Sequence, residues 1–410
     1  MAYKFVKISG FYKNYLSYYY QKNSFVKELN YSEQYKHLMD QGYGYSDYFH
    51  RHFAKHNVEG WEIVYNATPL QRAWARENNT VKIGESLILE QLIAFKPDVV
   101  FFQDSISFSP NLIGSIRKDV PSVKQIIGMC CSPITPEILE NYRLFDYMLG
   151  CSPYFTLLFD KSGIKNYPFY HCFEPDVLKS LNNVAEKNKD LIFVGSFIEG
   201  KEFHSGRNQI ISKLIHDKKV DLKIFGNLTI ESDSRIFLKT IAYSLVKTVK
   251  KYGLNNFLMR IPFIKKIAMM NERPVRSAYS REFISRIDQS PLFGFEMYNQ
   301  LKSAKIGFNM HAGIAGDYAA NVRMFEVTGV GSVLLTDKKI NISDLFEPDR
   351  EIVVYKSVSE CLEKIDWLLA NPKKLDEIAI LGQKRTLRDH TVERRVEYLN
   401  DIIKSNFKLN

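Results

Sequence analysis

The chain has 410 residues, enough for two or three domains, and its apolar share of 45% and charged share of 25% are those of an ordinary globular protein. The longest uncharged stretch, Tyr147–Phe159, has 13 residues, too few for a membrane-spanning helix, which takes roughly 18 or more. The formal net charge of +10 suggests nucleic-acid binding, but the segment Arg235–Arg286 alone has a net charge of +10. The rest of the chain is therefore neutral, and the protein is not basic throughout.

The first half of the sequence alternates short apolar runs with longer helical patterns. The strand candidates are Phe5–Ile8, Glu62–Asn66, Asp98–Gln103, Gln125–Met129, Tyr147–Cys151 and Tyr167–His171. They are continuous apolar runs, as in a parallel sheet covered by helices. Four Ser/Thr-Pro pairs that indicate helix starts follow these strands: Thr68-Pro69, Ser109-Pro110, Thr135-Pro136 and Ser152-Pro153. The pattern predicts a doubly wound, Rossmann-like α/β domain over residues 1–180.

The second half repeats this logic after a polar break at Asn182–Lys189. Its strand candidates are Asp190–Gly195, Val220–Gly226, Lys305–Asn309, Ser332–Leu335 and Glu351–Val354. Helices are predicted over Arg207–His216, Asn321–Thr328, Val358–Ala370, Pro372–Leu387 and Val392–Ser405. We therefore predict a second Rossmann-like domain over residues 181–388, with a helical insertion at 228–289, and a C-terminal helix within 389–410.

The five cysteines point to the compartment of the protein. They have an odd count and no CxxC spacing: Cys130, Cys131, Cys151, Cys172 and Cys361. The N-terminus also lacks an apolar signal core. We therefore expect a cytoplasmic protein with buried, reduced thiols.

The segment His311–Leu335 combines a strand end, a glycine-bearing loop and a helix that starts near Asn321. In an open α/β sheet, ligands bind beyond the carboxyl ends of the strands, which is where this loop lies. Loop N–H groups and a helix N-terminus can hold a diphosphate, and Arg323 can bind phosphate through its planar guanidinium. Glu326, one turn deeper on the same helix face, can accept both ribose hydroxyls. The alternative is an ordinary helix with a surface ion pair between Arg323 and Glu326.

Several motifs of this half resemble a known family. HAGIAGDYAANVRMFEVTGVGSVLLTD, the following DLFEPDREIVVY and the closing DHTVERR are similar to the C-terminal domain of the CgeB-like (spore-maturation-like) glycosyltransferases. The resemblance is close over about Lys305–Leu399 and weaker in GFYKNYLSYYY near Gly10 and in KPDVVFFQDS at Lys96–Ser105. It implies group 1 glycosyltransferase activity and the GT-B fold, in which two Rossmann-like domains face a central cleft.

Carried over residue by residue, the resemblance implies a nucleoside-diphosphate sugar as donor, with UDP and GDP sugars as the first expectation. Glu326 takes the place of the ribose-binding glutamate. Asn321 and Arg323 then face the diphosphate, and His311 and Gly313 face the junction of sugar and phosphate.

The sequence departs from the family pattern at the contact to the donor sugar. Retaining relatives carry a second glutamate eight residues before the ribose-binding one, where this chain has Tyr318. Asp317 immediately precedes Tyr318 and is the candidate catalytic carboxylate in place of the missing glutamate. Retaining and inverting transfer both stay open.

Arg207 follows the first strand of the second domain, after a loop with Gly195 and Gly200. Relatives of GT-B fold use a basic residue in this region to neutralise the leaving diphosphate, and Lys201 and His204 are weaker candidates. Because no DxD motif supplies carboxylate ligands, we expect no metal ion in the reaction. A solvated arginine at a helix start is the alternative for Arg207.

Two residues of the first domain are candidates for the general base that activates the acceptor. Asp104 and His171 each lie at a predicted strand end. Of the two we favour His171, because YHCFEPDVL around it resembles the segment in which relatives pass between domains. Alternatively, Asp104 caps the helix that starts near Ser109, and His171 is a partly buried, hydrogen-bonded histidine. His52 and His56 have i,i+4 spacing without a third ligand, so we predict no metal site there.

The basic segment Arg235–Arg286 interleaves lysine and arginine with apolar residues, as in YSLVKTVKKYG and FLMRIPFIKKIAMM. This pattern is typical of an amphipathic helix on an anionic membrane surface. A solvated helical pair is the alternative. Nucleic acid is not an expected partner, because no nucleic-acid-binding motif accompanies the charge. The prediction is a cytoplasmic protein that is peripheral at the inner face of the membrane.

Together these features predict a glycosyltransferase that acts on a saccharide or lipid-linked glycan acceptor in bacterial surface polysaccharide synthesis. A nucleotide-sugar epimerase of GT-B fold and a non-catalytic carbohydrate- or surface-binding protein are the alternatives. A nicotinamide dehydrogenase is disfavoured, since no GxGxxG opens either domain.

Overall fold

The structure is a computed structural model that describes residues 2–182, 187–197, 205–217, 220–228, 233–251, 281–290, 292–311 and 313–407. The chain forms two compact units. The larger unit consists of Met1–Phe193, Val220–Leu222 and Pro291–Asn410. The smaller unit consists of Val194–Lys219 and Lys223–Ser290.

The first half of the chain is built on a six-stranded parallel sheet. Its strands are β1 (Lys4–Ser9), β2 (Glu59–Val64), β3 (Val99–Phe102), β4 (Gln125–Cys130), β5 (Tyr147–Gly150) and β6 (Asn166–Pro168), in the order β2-β1-β3-β4-β5-β6. All six lie where the sequence predicts a strand, and β3, β4 and β5 are buried along their whole length. Strand β6 lies at the edge of the sheet and ends at Pro168, and the last hydrogen bond to β5 runs from Phe169 N–H to Gly150 O at 2.7 Å. His171 therefore lies beyond the strand and not at its last residue.

Eight helices are described between these strands and after them. They are α1 (Lys13–Lys22), α2 (Tyr31–Met39), α3 (Tyr48–Ala54), α4 (Thr68–Glu77), α5 (Gly84–Phe95), α6 (Pro110–Asp119), α7 (Pro136–Tyr142) and α8 (Pro153–Lys161). Two of the four predicted hydroxyl caps form, because Ser109 and Thr135 each accept a first-turn backbone N–H at 3.3 Å. Thr68 instead lies inside its helix, and Ser152 occupies the cap position without a side-chain hydrogen bond.

A second parallel sheet carries the predicted donor segment. Its strands are β7 (Lys189–Phe197), β8 (Leu222–Leu228), β9 (Ile287–Asp288), β10 (Ala304–Asn309), β11 (Val333–Asp337) and β12 (Val353–Tyr355), in the order β12-β11-β10-β7-β8-β9. Five of them were predicted, and the short strand β9 was not. The helices are α9 (Ser205–Asp217), α10 (Asp233–Lys251), α11 (Arg281–Arg286), α12 (Gly294–Lys302), α13 (Arg323–Gly329), α14 (Ile342–Leu345), α15 (Val358–Ala370), α16 (Pro372–Asp389) and α17 (Val392–Phe407).

The smaller unit contains the described part of the predicted insertion. Helix α10 lies in it, as expected for a helical insertion, and Phe197 packs edge-on against Phe283 with ring centroids 5.3 Å apart. Residues 252–280, which carry much of the basic segment, lie outside the described residues. Among the helices that are described, none is both long and apolar enough to span a membrane.

The C-terminal helix α17 returns to the first sheet. Phe173 N–H donates to His390 O at 2.9 Å, and Val392 N–H donates to Phe173 O at 3.0 Å, where the chain crosses back. Farther along α17, the Tyr3 hydroxyl donates to Asn400 Oδ1 at 2.8 Å. The closing DHTVERR motif therefore fastens the last helix to the segment that follows β6.

His390 is held neutral at this crossing. Its Nε2–H donates to Leu345 O at 2.8 Å, and its Nδ1 accepts from Arg395 at 3.2 Å. Burial lowers the pKa of His390 to about 4. Because an unfolded histidine has a pKa of about 6.5, this group's contribution is full above that pH and is lost as the pH falls toward 4. We expect about 2 kcal/mol of the unfolding free energy to be lost at pH 5.

Urea unfolding of the parent and of His390→Asn at pH 7 and pH 5 measures this loss. Asparagine does not titrate, so the variant should lose about 2 kcal/mol less than the parent between the two pH values. An equal loss in both proteins would contradict the assignment.

Candidate functional site

His311 follows β10 and is fixed by the neighbouring strand. Its backbone N–H and its Nδ1 lie 2.9 and 2.8 Å from the same oxygen of Asp337, at the end of β11. Burial alone would raise the pKa of Asp337, but the His311 hydrogen bonds and the Lys339 charge hold it below its ordinary value. The carboxylate is thus ionised and accepts from Nδ1–H. His311 is only 5% exposed, and its Nε2 lies 3.2 Å from Met324 Sδ.

The glycine-bearing loop after His311 forms a short 3₁₀ turn over Gly313–Ala315. Gly316 has a φ of +55°, a conformation that favours glycine. A Cβ at this position would lie 3.7 Å from the Tyr154 ring, so the loop approaches the start of α8 beside the first sheet. Asp317 is exposed at the end of this loop, and its backbone carbonyl accepts from Ile340 N–H at 2.9 Å.

Asn321 shapes the turn that leads into α13. Its amide donates to Asn309 Oδ1 at 2.7 Å, and its own Oδ1 accepts from the Arg323 backbone N–H at 3.0 Å. The side chain is therefore already engaged by the protein. The helix itself begins at Arg323, two residues later than predicted.

Arg323 and Glu326 form the ion pair that their spacing indicates, but the pair is not a surface one. Arg323 Nη1 lies 2.7 Å from Glu326 Oε2, and the two side chains are 17% and 10% exposed. Nη1 and Oε2 are close enough for an ion pair, but the N–H group is not aligned with the oxygen for a hydrogen bond. Glu326 Oε2 therefore has no hydrogen-bond partner among the described residues. Buried carboxylate oxygens are normally satisfied, which makes this atom a candidate ligand-binding group.

Two tyrosines flank this pair, one from each half of the larger unit. Tyr43 lies in the loop after α2, and Tyr298 lies on α12. Burial raises the pKa of both phenols, and the nearby charge of Glu326 adds to each shift. Both therefore stay protonated beside the carboxylate.

The remaining donor candidates lie in the other unit or outside the described residues. Arg207 lies in the first turn of α9, as expected, and its side chain is outside the described residues. Gly195 lies within β7 and not in the loop after it, which corrects the predicted strand end. Gly200, Lys201 and His204 are outside the described residues.

Asp104 follows β3, a central strand of the first sheet, at the carboxyl edge. Its Oδ2 accepts from the Ser107 hydroxyl at 2.6 Å and from the Tyr65 hydroxyl at 3.4 Å. Asp104 precedes a short 3₁₀ turn and makes no side-chain cap bond there, and the helix near Ser109 is capped by Ser109 itself. The capping alternative is therefore wrong, and Asp104 is half-buried.

His171 lies at the same edge but apart from Asp104. Strands β3 and β6 are separated by two strands, which puts their axes about 14 Å apart. The His171 Nδ1 lies 2.8 Å from the Tyr45 hydroxyl. The expectation of a partly buried, hydrogen-bonded histidine is confirmed.

His171 also brings together residues that the sequence analysis missed. Its ring faces the thiols of Cys131 and Cys151, and one ligand atom from each residue lies within 4.8 Å of the others. Burial alone would raise the pKa of Cys151, but hydrogen bonds from Cys131 and His171 lower it to about 6. The sequence contains a signal for this cluster, because each of the three residues lies at or just after the end of a predicted strand, and the three strands are neighbours in a parallel sheet.

Comparison with known proteins identifies the architecture. A glycosyltransferase from Rickettsia africae superposes with a TM-score of 0.56 at 9% identity, with 100% of both chains covered. The sucrose-phosphate synthase of Thermosynechococcus elongatus gives 0.57 at 9% identity, again over 100% of both chains. Anabaena HepE in complex with UDP-glucose gives 0.55 at 10% identity, over 98% of this chain and 100% of that one. The chain has the GT-B fold.

The family described as glycosyl transferase-like matches residues 260–401. This range contains the loop after β10, helix α13 and the closing DHTVERR motif. No curated protein sequence matches the chain. The resemblance noted in the sequence is thus confirmed at the level of glycosyl transferase-like proteins of GT-B fold.

Proposed function

We propose that the chain is a glycosyltransferase whose donor is a nucleoside-diphosphate sugar. The observation that carries this proposal is the Arg323–Glu326 pair, in which Glu326 Oε2 has no hydrogen-bond partner in the described part of the chain. A ribose hydroxyl supplies the donor that this oxygen needs. The glycosyl transferase-like match covers the same residues. UDP sugars are the first donors to test and GDP sugars the second, since Anabaena HepE was solved with UDP-glucose.

The donor site is assigned to the domain of residues 181–388, with its insertion at 228–289. Arg323 binds the diphosphate, assisted by Arg207, while Asn321, His311 and Gly313 shape the loop beside it. The acceptor site is assigned to residues 1–180, and the C-terminal helix within 389–410 ties the two together.

Asp104 is the favoured general base of this proposal. It takes the proton from an acceptor hydroxyl as that oxygen attacks the anomeric carbon, and the diphosphate leaves toward Arg323. His171 is the weaker candidate, because its Nδ1 already contacts the Tyr45 hydroxyl and its ring interacts with the Cys151 thiol. Asp317, exposed in the loop after β10, is assigned to the donor sugar. Fixed charges that face the leaving group supply most of the stabilisation in such a reaction.

Product analysis tests the proposal. Each nucleotide sugar is incubated with the protein, with and without a mixture of saccharide and lipid-linked acceptors. We expect release of nucleoside diphosphate that depends on the acceptor, together with a new sugar on that acceptor. If an epimerised nucleotide sugar forms without acceptor, the protein is an epimerase and not a transferase. If no donor is turned over, the protein is a non-catalytic binding protein.

Transfer is expected to need no Mg²⁺ or Mn²⁺, because arginine side chains neutralise the departing diphosphate. Activity measured after EDTA treatment should not rise when either ion is added back. Loss of activity with EDTA and its recovery with Mg²⁺ or Mn²⁺ would show that carboxylate ligands at the donor site were overlooked.

A lipid-linked glycan is the acceptor class that best suits helix α10. Four apolar side chains of this helix are more than 40% exposed at i,i+4 and i,i+7 spacings: Phe237, Leu238, Ile241 and Leu245. They belong to the segment Arg235–Arg286, which carries the net charge of +10. An apolar stripe with basic neighbours is the pattern of a helix that lies on an anionic membrane surface. The protein is accordingly assigned to the cytoplasmic face of the membrane.

Co-sedimentation with liposomes measures this association. We expect binding to anionic and not to neutral vesicles, and release at about 1 M salt, where charge screening acts within about 3 Å. Vesicle binding should be abolished when glutamine replaces five lysines of the segment together: Lys247, Lys250, Lys251, Lys265 and Lys266. The same change should have no effect at exposed lysines elsewhere, namely Lys13, Lys27, Lys118, Lys161 and Lys373. If the parent protein does not bind anionic vesicles at low salt, the membrane proposal is wrong and the segment is a solvated structural feature.

A further inference from the structure

Two cysteines and a histidine meet at the carboxyl edge of the first sheet. Cys131 follows β4, Cys151 follows β5, and His171 lies beyond β6. These three strands are neighbours in the sheet, so the residues that follow them converge although up to 40 positions separate them in the sequence. One ligand atom of each lies within 4.8 Å of the other two.

Tyr45 orients the histidine of this group. Its hydroxyl lies 2.8 Å from His171 Nδ1, and it also accepts the Cys172 backbone N–H at 3.2 Å. The two rings are nearly parallel, with an interplanar angle of 22°. Because Nδ1 contacts the Tyr45 hydroxyl, Nε2 is the nitrogen left to bind a metal ion. Metal-binding histidines are commonly held in this way, by a hydrogen bond at the nitrogen that does not bind the metal.

We propose that Cys131, Cys151 and His171 bind a thiophilic metal ion, with Zn²⁺ as the expected occupant. Thiolate and imidazole are the ligands that select zinc over Mg²⁺ or Ca²⁺. Zinc bonds of about 2.3 Å to sulfur and 2.0 Å to nitrogen place tetrahedral ligand atoms roughly 3.5–3.8 Å apart. The three ligand atoms of the cluster already lie within 4.8 Å of one another. Three protein ligands leave the fourth position to water.

The cluster differs from the other cysteines of the chain. Cys130 is adjacent in sequence, but its thiol donates to the Ser132 carbonyl at 3.4 Å, outside the cluster. Cys361 is buried in helix α15, far along the chain in the second half. Cys131 and His171 are partly exposed as residues. Cys151 is 1% exposed and forms the buried floor of the site.

This site uses none of the proposed donor-binding residues, but it includes His171, the weaker candidate for the general base. It does bear on the choice of general base. A metal ion on Nε2 removes the lone pair with which His171 would accept a proton, and this leaves Asp104 as the base. Metal binding and sugar transfer are therefore tested by separate experiments, and the failure of one proposal does not disprove the other.

The test uses the full chain, reduced and stripped of metal. Titration with Co²⁺ is expected to give one equivalent of bound ion with a thiolate-to-cobalt charge-transfer band, and Zn²⁺ should displace it. X-ray absorption of the zinc-loaded parent should show two sulfur ligands. This measurement requires no substitution, so it does not depend on whether a variant folds. A zinc environment of oxygen and nitrogen alone would overturn the proposal.

Variants assign the ligands. Cys131→Ser, Cys151→Ser and His171→Gln should each abolish stoichiometric Zn²⁺ binding in competition with a chromogenic chelator. Tyr45→Phe removes only the orienting hydroxyl and should weaken affinity about 10- to 100-fold. The matched controls Cys130→Ser and Cys361→Ser should bind Zn²⁺ as the parent does. Unchanged binding in Cys131→Ser, or equal loss in the controls, would overturn the assignment.

Discussion

Asp104→Asn is expected to lower kcat about 10²- to 10⁴-fold, with little change in affinity for the nucleotide sugar. A positioned general base contributes a factor of this size to a proton transfer, and asparagine cannot accept the proton. Asparagine keeps the shape of the side chain and can accept the same hydrogen bond from the Ser107 hydroxyl, 2.6 Å away in the parent. The fold and the donor site should therefore be unaffected. Steady-state kinetics at saturating donor measure the effect.

The same strand supplies a matched control. Asp98 immediately precedes β3 at the opposite edge of the sheet, where its carboxylate accepts the Lys4 backbone N–H at 2.9 Å. Asp98→Asn changes the same functional group at the other end of the same strand and should leave kcat within about twofold, because it lies at the edge of the sheet away from the proposed acceptor site. Equal activity of Asp104→Asn and the parent would exclude Asp104 as the base.

Glu326→Ala is expected to weaken nucleotide binding about 10- to 150-fold. Hydrogen bonds to a charged acceptor contribute about 1.5–3 kcal/mol, which converts to that range of affinity. Glu326 is only 8% exposed, so a hydrogen bond between its carboxylate and a ribose is largely shielded from bulk water. Isothermal titration calorimetry with the preferred nucleotide measures the loss.

The chain contains an exposed counterpart of the Arg323–Glu326 pair. Arg350 and Glu347 are also three residues apart and lie 2.7 Å from each other, but their side chains are 64% and 54% exposed. Glu347→Ala should leave nucleotide affinity unchanged. Removal of Glu326 also leaves Arg323 half-buried without its counter-charge, so circular dichroism must show that the variant is folded before titration. Unchanged affinity in folded Glu326→Ala would mean that the pair is structural.

Local signals in the sequence predict most of the fold. Apolar runs gave all six strands of the first sheet, and Ser109-Pro110 and Thr135-Pro136 marked the starts of α6 and α7 with the caps that form. Strand ends were less predictable, because they depend on pairing. Gly195 continues β7, for example, although a glycine at a strand end usually indicates a turn.

The parts of the site that depend on contacts between strands were not predicted. Asp337 fixes His311 from the end of β11, 26 residues away, and neither residue carries a local sign of the other. The charge of Glu326 likewise acts on Tyr43 and Tyr298, which the fold brings from distant segments. Spacing along one helix indicated the ion pair but not its surroundings.

The central claim is that this GT-B chain binds a nucleotide sugar, and a thermal-shift screen across UDP, GDP, CDP and dTDP sugars tests it most directly. A ligand at 100 times its Kd stabilises the folded protein by about 2.7 kcal/mol, which raises the unfolding temperature measurably. We expect one nucleotide class to stabilise the parent and to stabilise Glu326→Ala much less. A parent protein whose unfolding temperature responds to none of these sugars, at any concentration up to the millimolar range, would contradict the account.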